Sequence, residues 1–283
     1  MEAAYSYGSS AWAYTAKLIA RLPGGAKVDY FLKVTTSLES QNFELTGLIQ
    51  VIPNNHPARI MCRGEFESLK AIRAVVPSFV PEPYAWGPIT DGTGYFLLTE
   101  FRMVGQQPPD PTKLAQRLAE LHQNSVSPTG KFGFHVVTCH GNLPQDISWE
   151  DSWTAMFSRI LTKAMDLDDQ KNGYTDSFAA VRQLLFDKVI PRLLDPLQSD
   201  GRSIKPCLVH GDVWDENCAD DMNTGEPFAF DAGCFYAHSE YEVGFWRPPR
   251  FRLSSKRYVR AYKKCFPMSE PGKSLRRFEV QHQ

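Results

Sequence analysis

The chain has 283 residues with 31 basic and 32 acidic side chains, which gives a formal net charge of -1. Hydrophobic residues make up 42% and charged residues 22%, as in ordinary soluble globular proteins. This balance gives no support for a nucleic acid or an anionic membrane as a partner, and the length suits one large domain or two lobes. No segment approaches about 18 consecutive apolar residues, and residues 1–20 lack the apolar core of a signal peptide, so we expect a cytoplasmic protein.

The six cysteines are spread along the chain without a C-x-x-C pair or a zinc-binding spacing. Several of them lie in apolar segments, so reduced and buried thiols are expected, as in a cytosolic protein. The many basic residues between positions 247 and 264 are expected to form the solvated face of a helix.

The first part of the chain predicts antiparallel strands. Residues 12–34 form two alternating or apolar segments joined by a Pro-Gly-Gly turn, which is typical of a hairpin. Ahead of this hairpin, the small residues around Gly8 and Ser9 favour a flexible turn that can close over nucleotide phosphates. Residues 37–57 show no clear period and contain Pro and Asn clusters, which predicts a surface insertion.

A helix is predicted from residue 65 onward, followed by a strand over Tyr95–Phe101. Gly105–Pro109 then breaks the pattern. This break predicts a boundary between an N-terminal nucleotide-binding lobe, residues 1–104, and a C-terminal catalytic and acceptor-binding lobe, residues 105–283. The inward stripe of the predicted helix consists of Phe66, Leu69, Ile72 and Val76.

Three helices are predicted in the second lobe. Asp110 is a good N-cap for the first helix, and Pro111 suits its first position. The second is predicted to follow Ser148, with Asp151 completing a pair similar to a capping box. The third starts at Asp176. Their predicted apolar faces are Leu114, Leu118 and Leu121; Trp149, Trp153, Phe157 and Leu161; and Phe178, Val181, Leu185 and Val189.

The most informative stretch runs from His210 to Asn217 in the pattern H-x-D-x-x-x-x-N, and Asp231 follows it. In phosphotransferases, this Asp accepts the proton of a substrate hydroxyl and the Asn holds a magnesium ion. An apolar strand precedes the loop, and turn residues at 220–225 predict a hairpin that returns Asp231 to the side of Asn217. The pattern therefore favours Asp212 as a catalytic base, with Asn217 and Asp231 as Mg²⁺ ligands, over an ordinary polar turn.

A site of this kind also needs a lysine for the phosphates of the nucleotide, held by an acidic residue from a helix. Lys33 lies near the end of an apolar strand, and Glu65 is the first well-placed acid on the next helix. Taken alone, Lys33 can be interpreted as a solvent-exposed lysine on an edge strand. Glu65 can be interpreted as an acidic residue in the first turn of a helix, where it interacts favourably with the helix dipole. Their order ahead of the catalytic loop favours a phosphate-binding ion pair.

Two further residues of the loop are candidates with open alternatives. His210 is a candidate catalytic residue. A role in shaping the loop through hydrogen bonds to the backbone is favoured over a direct role in the reaction. Trp214 offers a large flat surface on which a sugar-like acceptor can stack, and a packing anchor for the loop is the alternative.

Taken together, these motifs point to a known family. Leu208–Asn217 resembles the "HGDLW..N" signature of the fructosamine kinase (ketosamine kinase) family, within the aminoglycoside-phosphotransferase-like kinases. Gly64–Leu69 is similar to the helix motif of this family. Residues 131–145 are similar to its "GKFGF...TC.G..PQ" segment, which separates it from aminoglycoside and choline kinases. The resemblance spans about residues 8–267, and the insertion at 37–57 is similar to that of fungal members.

The resemblance implies an α+β, bilobal protein-kinase-like fold, with an N-terminal antiparallel sheet lobe and a mainly helical C-terminal lobe. It implies ATP-dependent phosphorylation of the 3-hydroxyl of ketosamines, the sugar adducts of protein amines. ATP and Mg²⁺ are the implied cofactors, and free ketosamines or glycated proteins are the implied acceptors. The positions carried over are Lys33 for the phosphates, Glu65 for its ion-pair partner, Asp212 for the base, Asn217 and Asp231 for the metal, and Glu100, Phe101 and Met103 for the hinge that receives adenine.

The chain departs from the family pattern in three places. The family has Asp-Pro-Ala where this chain has Asp231-Ala232-Gly233, which keeps the metal ligand. Relative to the family, the chain begins almost at the phosphate-covering turn, and Gly272–Gln283 looks unrelated, so activity is an expectation to be tested. Two alternatives stay open: a kinase for aminoglycoside or choline-like acceptors, and a non-catalytic pseudokinase-like module. The segment 131–145 argues against the first, and the complete set of site residues argues against the second.

Overall fold

The computed structural model of the chain describes residues 1–9, 12–36, 57–90, 92–173 and 175–270. The insertion predicted at 37–57 lies outside these ranges except for Pro57, which begins the first helix. A five-stranded sheet and this helix form the N-terminal part, and helices with short strand pairs form the rest. Among the described helices, none combines the length and the apolar character that crossing a membrane requires.

The N-terminal sheet is antiparallel throughout, with the strand order β1-β2-β3-β5-β4. Its strands are β1 (Ala3–Ser9), β2 (Tyr14–Arg21), β3 (Lys27–Thr36), β4 (Pro83–Pro88) and β5 (Gly94–Glu100). The predicted hairpin is confirmed as β2 and β3. The flexible turn predicted around Gly8 and Ser9 is wrong for these two residues, because both belong to β1 and pair with β2. The pairing of β1 with β2 shifts register between Ser6 and Gly8, which forms a bulge. Gly8 has a φ of 127° there, a backbone conformation that glycine adopts readily.

Helix α1 (Pro57–Val75) packs against β4 and β5 and begins earlier than predicted. Pro57 occupies a first-turn position, where a proline loses no helical hydrogen bond. The early turns bury the small side chains of Ala58 and Cys62, which carry a weaker apolar signal than the large residues after Glu65. The sequence pattern therefore found the second half of the helix and missed the first half.

The described part of the chain forms five further α-helices: α2 (Pro111–Asn124), α3 (Trp153–Asn172), α4 (Asp176–Leu184), α5 (Ile190–Leu194) and α6 (Lys256–Cys265). Helix α2 begins as predicted, because the Asp110 carboxylate accepts hydrogen bonds from the amides of Thr112 and Lys113 at 2.9 and 3.0 Å. Its predicted inward residues are fully buried, namely Leu114, Leu118 and Leu121.

The predicted start of α3 after Ser148 is wrong. Ser152 is the N-cap, and residues 149–151 stay outside the helix. The reason is a long-range pairing, because Phe132 and Glu150 exchange two backbone hydrogen bonds of 2.9 and 2.8 Å. This pairing keeps the chain extended through Trp149, so the helix begins only after it.

Helix α4 starts at Asp176 as predicted, but its predicted apolar face is only partly buried. Val181 is 60% exposed, in contrast to the prediction. A π-helical turn over Leu185–Val189 follows and shifts the register of the side chains, so Ile190 becomes the buried residue.

Six short strands surround the predicted catalytic loop: β6 (Cys139–His140), β7 (Leu143–Pro144), β8 (Cys207–Val209), β9 (Cys218–Asp220), β10 (Pro227–Ala229) and β11 (Phe235–Ala237). Strand β8 is completely buried and pairs with β11, while β9 and β10 form the predicted hairpin. The strand and hairpin predictions around the loop are therefore confirmed. All six cysteines are free thiols, and four of them are buried.

A buried carboxylate fixes the start of the loop between β8 and β9. Glu242 is 1% exposed, and its carboxylate accepts hydrogen bonds from the amides of His210 and Gly211 at 2.5 and 3.1 Å. His122 Nε2 lies 3.6 Å from the same carboxylate, and its Nδ1 is hydrogen-bonded to the Tyr262 hydroxyl at 2.7 Å. Burial alone would raise the pKa of Glu242, but the contacts with His122 and His210 hold it below its usual value.

Replacing Glu242 by Gln should destabilise the protein, because two buried loop amides lose a charged acceptor. We expect the free energy of unfolding at pH 7 to fall by about 1–3 kcal/mol, measured by chemical denaturation. A carboxylate with a lowered pKa stabilises the fold above its unfolded pKa and loses this effect as the pH falls through its folded pKa. The deficit of the variant should therefore shrink as the pH drops below 4.5.

Glu120 is the matched control, since it lies on the surface of α2 and its ion pair among the described residues is with Arg117, one turn away. Glu120→Gln should change the free energy of unfolding by less than about 0.5 kcal/mol. Equal losses in the two variants, or a loss in Glu242→Gln that does not depend on pH, would contradict this role of Glu242.

Candidate active site

The structure brings Lys33 together with two predicted partners. Lys33 lies on the central strand β3, and only 12% of its side chain is exposed, so the edge-lysine interpretation does not hold. Its Nζ lies 2.9 Å from Glu65 Oε2 and 2.9 Å from Asp231 Oδ1. Burial alone would lower the pKa of Lys33, but the carboxylates of Asp231 and Glu65 outweigh burial and raise it, so the ammonium stays charged.

The register of α1 selects Glu65 as the partner of the lysine. Glu67 points elsewhere, with its carboxylate 3.5 Å from both Lys70 and His135. A buried hydroxyl on the next turn then links the helix to the segment after Asp231, because Ser68 Oγ accepts a hydrogen bond of 3.0 Å from the Cys234 amide. Helix α1 is thus attached to this segment close to the ion pair.

Asp231 lies in a sharp turn directly after β10. Its φ is 58°, in the left-handed region, which a non-glycine residue seldom adopts. The amide of Phe230 donates to Asn217 O at 3.0 Å, as the predicted hairpin requires. A methyl group at Gly233 would lie 2.4 Å from Cys139 O. This contact gives a physical reason for glycine where the family pattern has alanine.

Asp212 and Asn217 face each other across the loop. Asp212 Oδ2 accepts a hydrogen bond of 2.8 Å from Asn217 Nδ2, which also donates to Asp212 O at 3.1 Å. Because the amide nitrogen of Asn217 is engaged with Asp212, its amide oxygen remains for another partner. Burial raises the pKa of Asp212 to about 6, although the neighbouring His140 and Asn217 oppose this shift.

His210 and Trp214 take different positions in the loop. His210 is completely buried, burial lowers its pKa, and its Nδ1 accepts a hydrogen bond of 3.3 Å from the Asp212 amide. These contacts suit a residue that shapes the loop. The partly buried ring of Trp214 lies 5.2 Å from that of Phe251, at an interplanar angle of 50°. The ring of Trp214 therefore packs against Phe251, while part of its surface stays accessible to solvent.

Of the two residues predicted to cover the nucleotide phosphates, Gly8 lies in one register row with Lys33. Gly8 on β1 is the register partner of Thr15 on β2, and Thr15 is the register partner of Lys33 on β3. Ser9 pairs with Tyr14 one position further along. Since neighbouring strands are about 4.8 Å apart, Gly8 lies two strands, or roughly 10 Å, from the lysine.

The predicted hinge connects the sheet with the β9–β10 hairpin. Glu100 ends β5, and its carboxylate accepts hydrogen bonds of 3.1 and 2.9 Å from Arg102. Phe101 follows, and its ring packs edge-on against Tyr7 at 5.0 Å. Met103 is 45% exposed, and its carbonyl accepts a hydrogen bond of 3.0 Å from the Met222 amide. The segment therefore runs where the two parts of the molecule meet.

Sequence reasoning did not assign a role to Glu242 or to Ser68, although both position the site and Ser68 lies within the helix motif Gly64–Leu69. Ser68 gives no signal, because a serine on a helix is ordinarily a surface residue. Glu242 does carry one. It is an acidic residue among Val243, Phe245 and Trp246, and a buried acid needs partners, so this local pattern indicates a structural carboxylate.

The fold and the sequence both resemble those of known proteins. A crystal structure of an inferred fructosamine-3-kinase from Haemophilus somnus 129PT superposes with a TM-score of 0.68 at 18% identity, covering 95% of this chain and 78% of that one. The chain thus has the α+β, bilobal kinase-like fold expected from the sequence, and this expectation is confirmed. A ketosamine-3-kinase of Mus musculus is 31% identical over 252 residues, which cover 80% of this chain and 77% of the mouse protein.

A chloroplastic protein-ribulosamine 3-kinase of Oryza sativa subsp. japonica is 35% identical over 187 residues, which cover 65% of this chain. The chain spans about half of the rice protein, namely 51% of its length. The sequence profile of the family described as fructosamine kinase matches residues 24–278. The chain therefore belongs to the fructosamine kinase family.

Proposed function

We propose that this protein is an ATP-dependent kinase that phosphorylates the 3-hydroxyl of ketosamines, either free or on glycated proteins. The observation that carries the proposal is the placement of the Lys33 ammonium 2.9 Å from both Glu65 and Asp231. This arrangement holds a charged lysine next to a carboxylate suited to a cation, and the loop bearing Asp212 and Asn217 packs against the same turn. Phosphoryl transfer from a nucleotide needs these groups together.

The residues present suit a magnesium ion. Asp231 offers a carboxylate. Asn217 offers its amide oxygen, because its amide nitrogen is the atom that donates to Asp212. No group of three or more His, Cys, Asp or Glu side chains suited to a metal occurs in the part of the chain that the structure describes. The pair of one carboxylate and one amide oxygen fits Mg²⁺, which takes one or two protein ligands and fills its shell with phosphate oxygens and water.

When bound, ATP would supply the phosphoryl group, and Mg²⁺ held by Asp231 and Asn217 would neutralise the negative charge that develops during the transfer. Asp212 accepts the proton of the acceptor hydroxyl, Lys33 binds the phosphates, and Glu65 holds the lysine. Gly8 and Ser9 cover the phosphates. His210 supports the loop, Trp214 stacks against the sugar, and the hinge receives adenine at Glu100, Phe101 and Met103.

We also propose the lobe boundary near residues 104 and 105. Val104 bridges to Asp221, and the Gly105 amide donates a hydrogen bond of 2.9 Å to Asp220 O. From this point on, the chain pairs with the β9–β10 hairpin rather than with the N-terminal sheet. The six free thiols support a cytosolic location as part of the proposal.

The acceptor is tested by measuring ADP release from ATP with fructosyl-lysine, ribulosyl-lysine, kanamycin and choline at equal concentrations. We expect kcat/KM for a ketosamine to exceed that for kanamycin or choline by at least roughly tenfold, the ratio that about 1.4 kcal/mol of differential binding gives. Turnover restricted to kanamycin or choline would reject the ketosamine assignment. Binding of Mg²⁺-ATP without turnover of any acceptor would point to a non-catalytic module.

The two aspartates should fail in different ways when each is replaced by Asn. Asp212→Asn should lower kcat by roughly 10²–10⁴-fold with little change in the affinity for Mg²⁺-ATP, because only the proton acceptor is lost. Asp231→Asn should weaken the binding of Mg²⁺ and hence of ATP, because a neutral amide is a poorer ligand for a hard cation. A magnesium titration of kcat and of nucleotide binding separates the two defects.

High Mg²⁺ should restore part of the activity of Asp231→Asn and none of that of Asp212→Asn. The exposed Asp187, in the π-helical turn after α4, provides the control Asp187→Asn, which should behave like the wild type. Equal rescue of both variants, or loss of ATP binding in Asp212→Asn alone, would show that the roles are assigned wrongly.

A further inference from the structure

Residues 138–145 are held beside the site by buried polar contacts that the proposed reaction does not explain. Thr138 is fully buried, and its hydroxyl donates a hydrogen bond of 3.2 Å to Cys234 O. The Gln145 side chain donates to Thr138 Oγ1 at 3.2 Å and to Gly233 O at 3.3 Å. Both ends of the 138–145 segment are thus attached to the turn that carries Asp231.

The backbone around Cys139 packs closely against two neighbouring segments, and each segment has a glycine at the point of contact. A methyl group at Gly64 of α1 would lie 2.8 Å from Val137 O, and one at Gly233 would lie 2.4 Å from Cys139 O. The backbone on either side of Cys139 therefore has little freedom to shift. A side chain carried at this point is presented in a fixed position.

That side chain is His140. It is 42% exposed, and its Nδ1 lies 3.7 Å from Asp212 Oδ1. The imidazole ring packs against Phe245, with the ring centroids 5.0 Å apart and an interplanar angle of 33°. A distance of 3.7 Å is too long for a hydrogen bond, so His140 leaves this oxygen of Asp212 available.

The two oxygens of Asp212 differ in their surroundings. Oδ2 accepts the hydrogen bond from Asn217, whereas Oδ1 faces His140. An acceptor hydroxyl that donates its proton to Oδ1 must approach within about 3 Å of it. The carbon next to this hydroxyl then lies beside the imidazole, which can donate or accept one hydrogen bond.

We propose that His140 is a specificity-determining residue that hydrogen-bonds the acceptor at an oxygen adjacent to the hydroxyl being phosphorylated. This inference rests on the proposed function, because it takes Asp212 as the proton acceptor. This hydrogen bond favours acceptors that carry a second oxygen on the carbon next to the one bearing the reacting hydroxyl, as the carbon chain of a ketose sugar does. Choline has a single hydroxyl and gains nothing from this contact.

The test compares His140→Ala and His140→Asn with the wild type in steady-state kinetics with fructosyl-lysine and ATP. Loss of one hydrogen bond to the acceptor should raise KM for fructosyl-lysine roughly tenfold in His140→Ala and leave KM for ATP within about twofold. His140→Asn should recover part of this loss, since its amide reaches close to the position of Nδ1. A residue that only supports the fold would not separate the two KM values in this way.

His135 provides the matched control, because it is 51% exposed on the same stretch of chain and faces Glu67 instead of Asp212. His135→Ala should leave both KM values unchanged. An unchanged acceptor KM in His140→Ala, an equal rise in both KM values, or a fall in kcat alone would overturn the proposal for His140.

Failure of the proposed function gives a different result, namely a wild-type enzyme that turns over no ketosamine. In that case, calorimetry with the non-hydrolysable nucleotide AMPPNP and Mg²⁺ compares the affinity of the wild type and of His140→Ala for fructosyl-lysine, kanamycin and choline. A weaker affinity of the variant for the sugar-containing acceptors alone would still support the contact. Equal affinities, or no binding of any acceptor to the wild type, would contradict it.

Discussion

The ammonium of Lys33 must be balanced where it lies, since a buried charge without partners is costly. Its partners come from distant parts of the chain, Glu65 from α1 and Asp231 from the turn after β10. The same requirement therefore fixes the position of the helix, the central strand and the turn relative to one another. Burial raises the pKa of Glu65 to about 7 against the opposing effect of Lys33, and the neighbouring Asp231 adds to the rise. A cation bound at Asp231 would offset the repulsion between these two carboxylates.

Close backbone contacts also hold the loop between β8 and β9 against the turn that carries Asp231. A methyl group at Gly211 would lie 2.5 Å from Gly233 O, and the Gly233 amide donates a hydrogen bond of 3.0 Å to His210 O. The loop between β8 and β9 and the Asp231 turn are thus packed backbone against backbone. From the other side, the carboxylate of Glu242 holds the amides at the start of the loop. The loop is positioned by groups that take no part in the proposed chemistry, so its geometry exists before a ligand binds.

The sequence predicted those features that depend on residues close together in the chain. The cap at Asp110 and the spacing from His210 to Asn217 are of this kind, and both the helix start and the hairpin after the loop are as predicted. Distant contacts that belong to no sequence motif were not predicted. Helix α3 begins late because Glu150 pairs with Phe132, and Glu242 meets its loop amides across 32 positions of sequence. A local pattern contains no record of such pairings, so it placed the helix too early and did not identify the partners of the Glu242 carboxylate.

We propose that the Lys33 ammonium, held in place by Glu65 and Asp231, anchors the phosphates of the nucleotide. Calorimetric titration of ATP in the presence of Mg²⁺ into the wild type and Lys33→Met, each shown to be folded by thermal unfolding, tests it most directly. We expect the variant to bind Mg²⁺-ATP at least roughly tenfold more weakly, because a charge-assisted contact with the phosphates is lost. An affinity for Mg²⁺-ATP equal to that of the wild type would contradict the account.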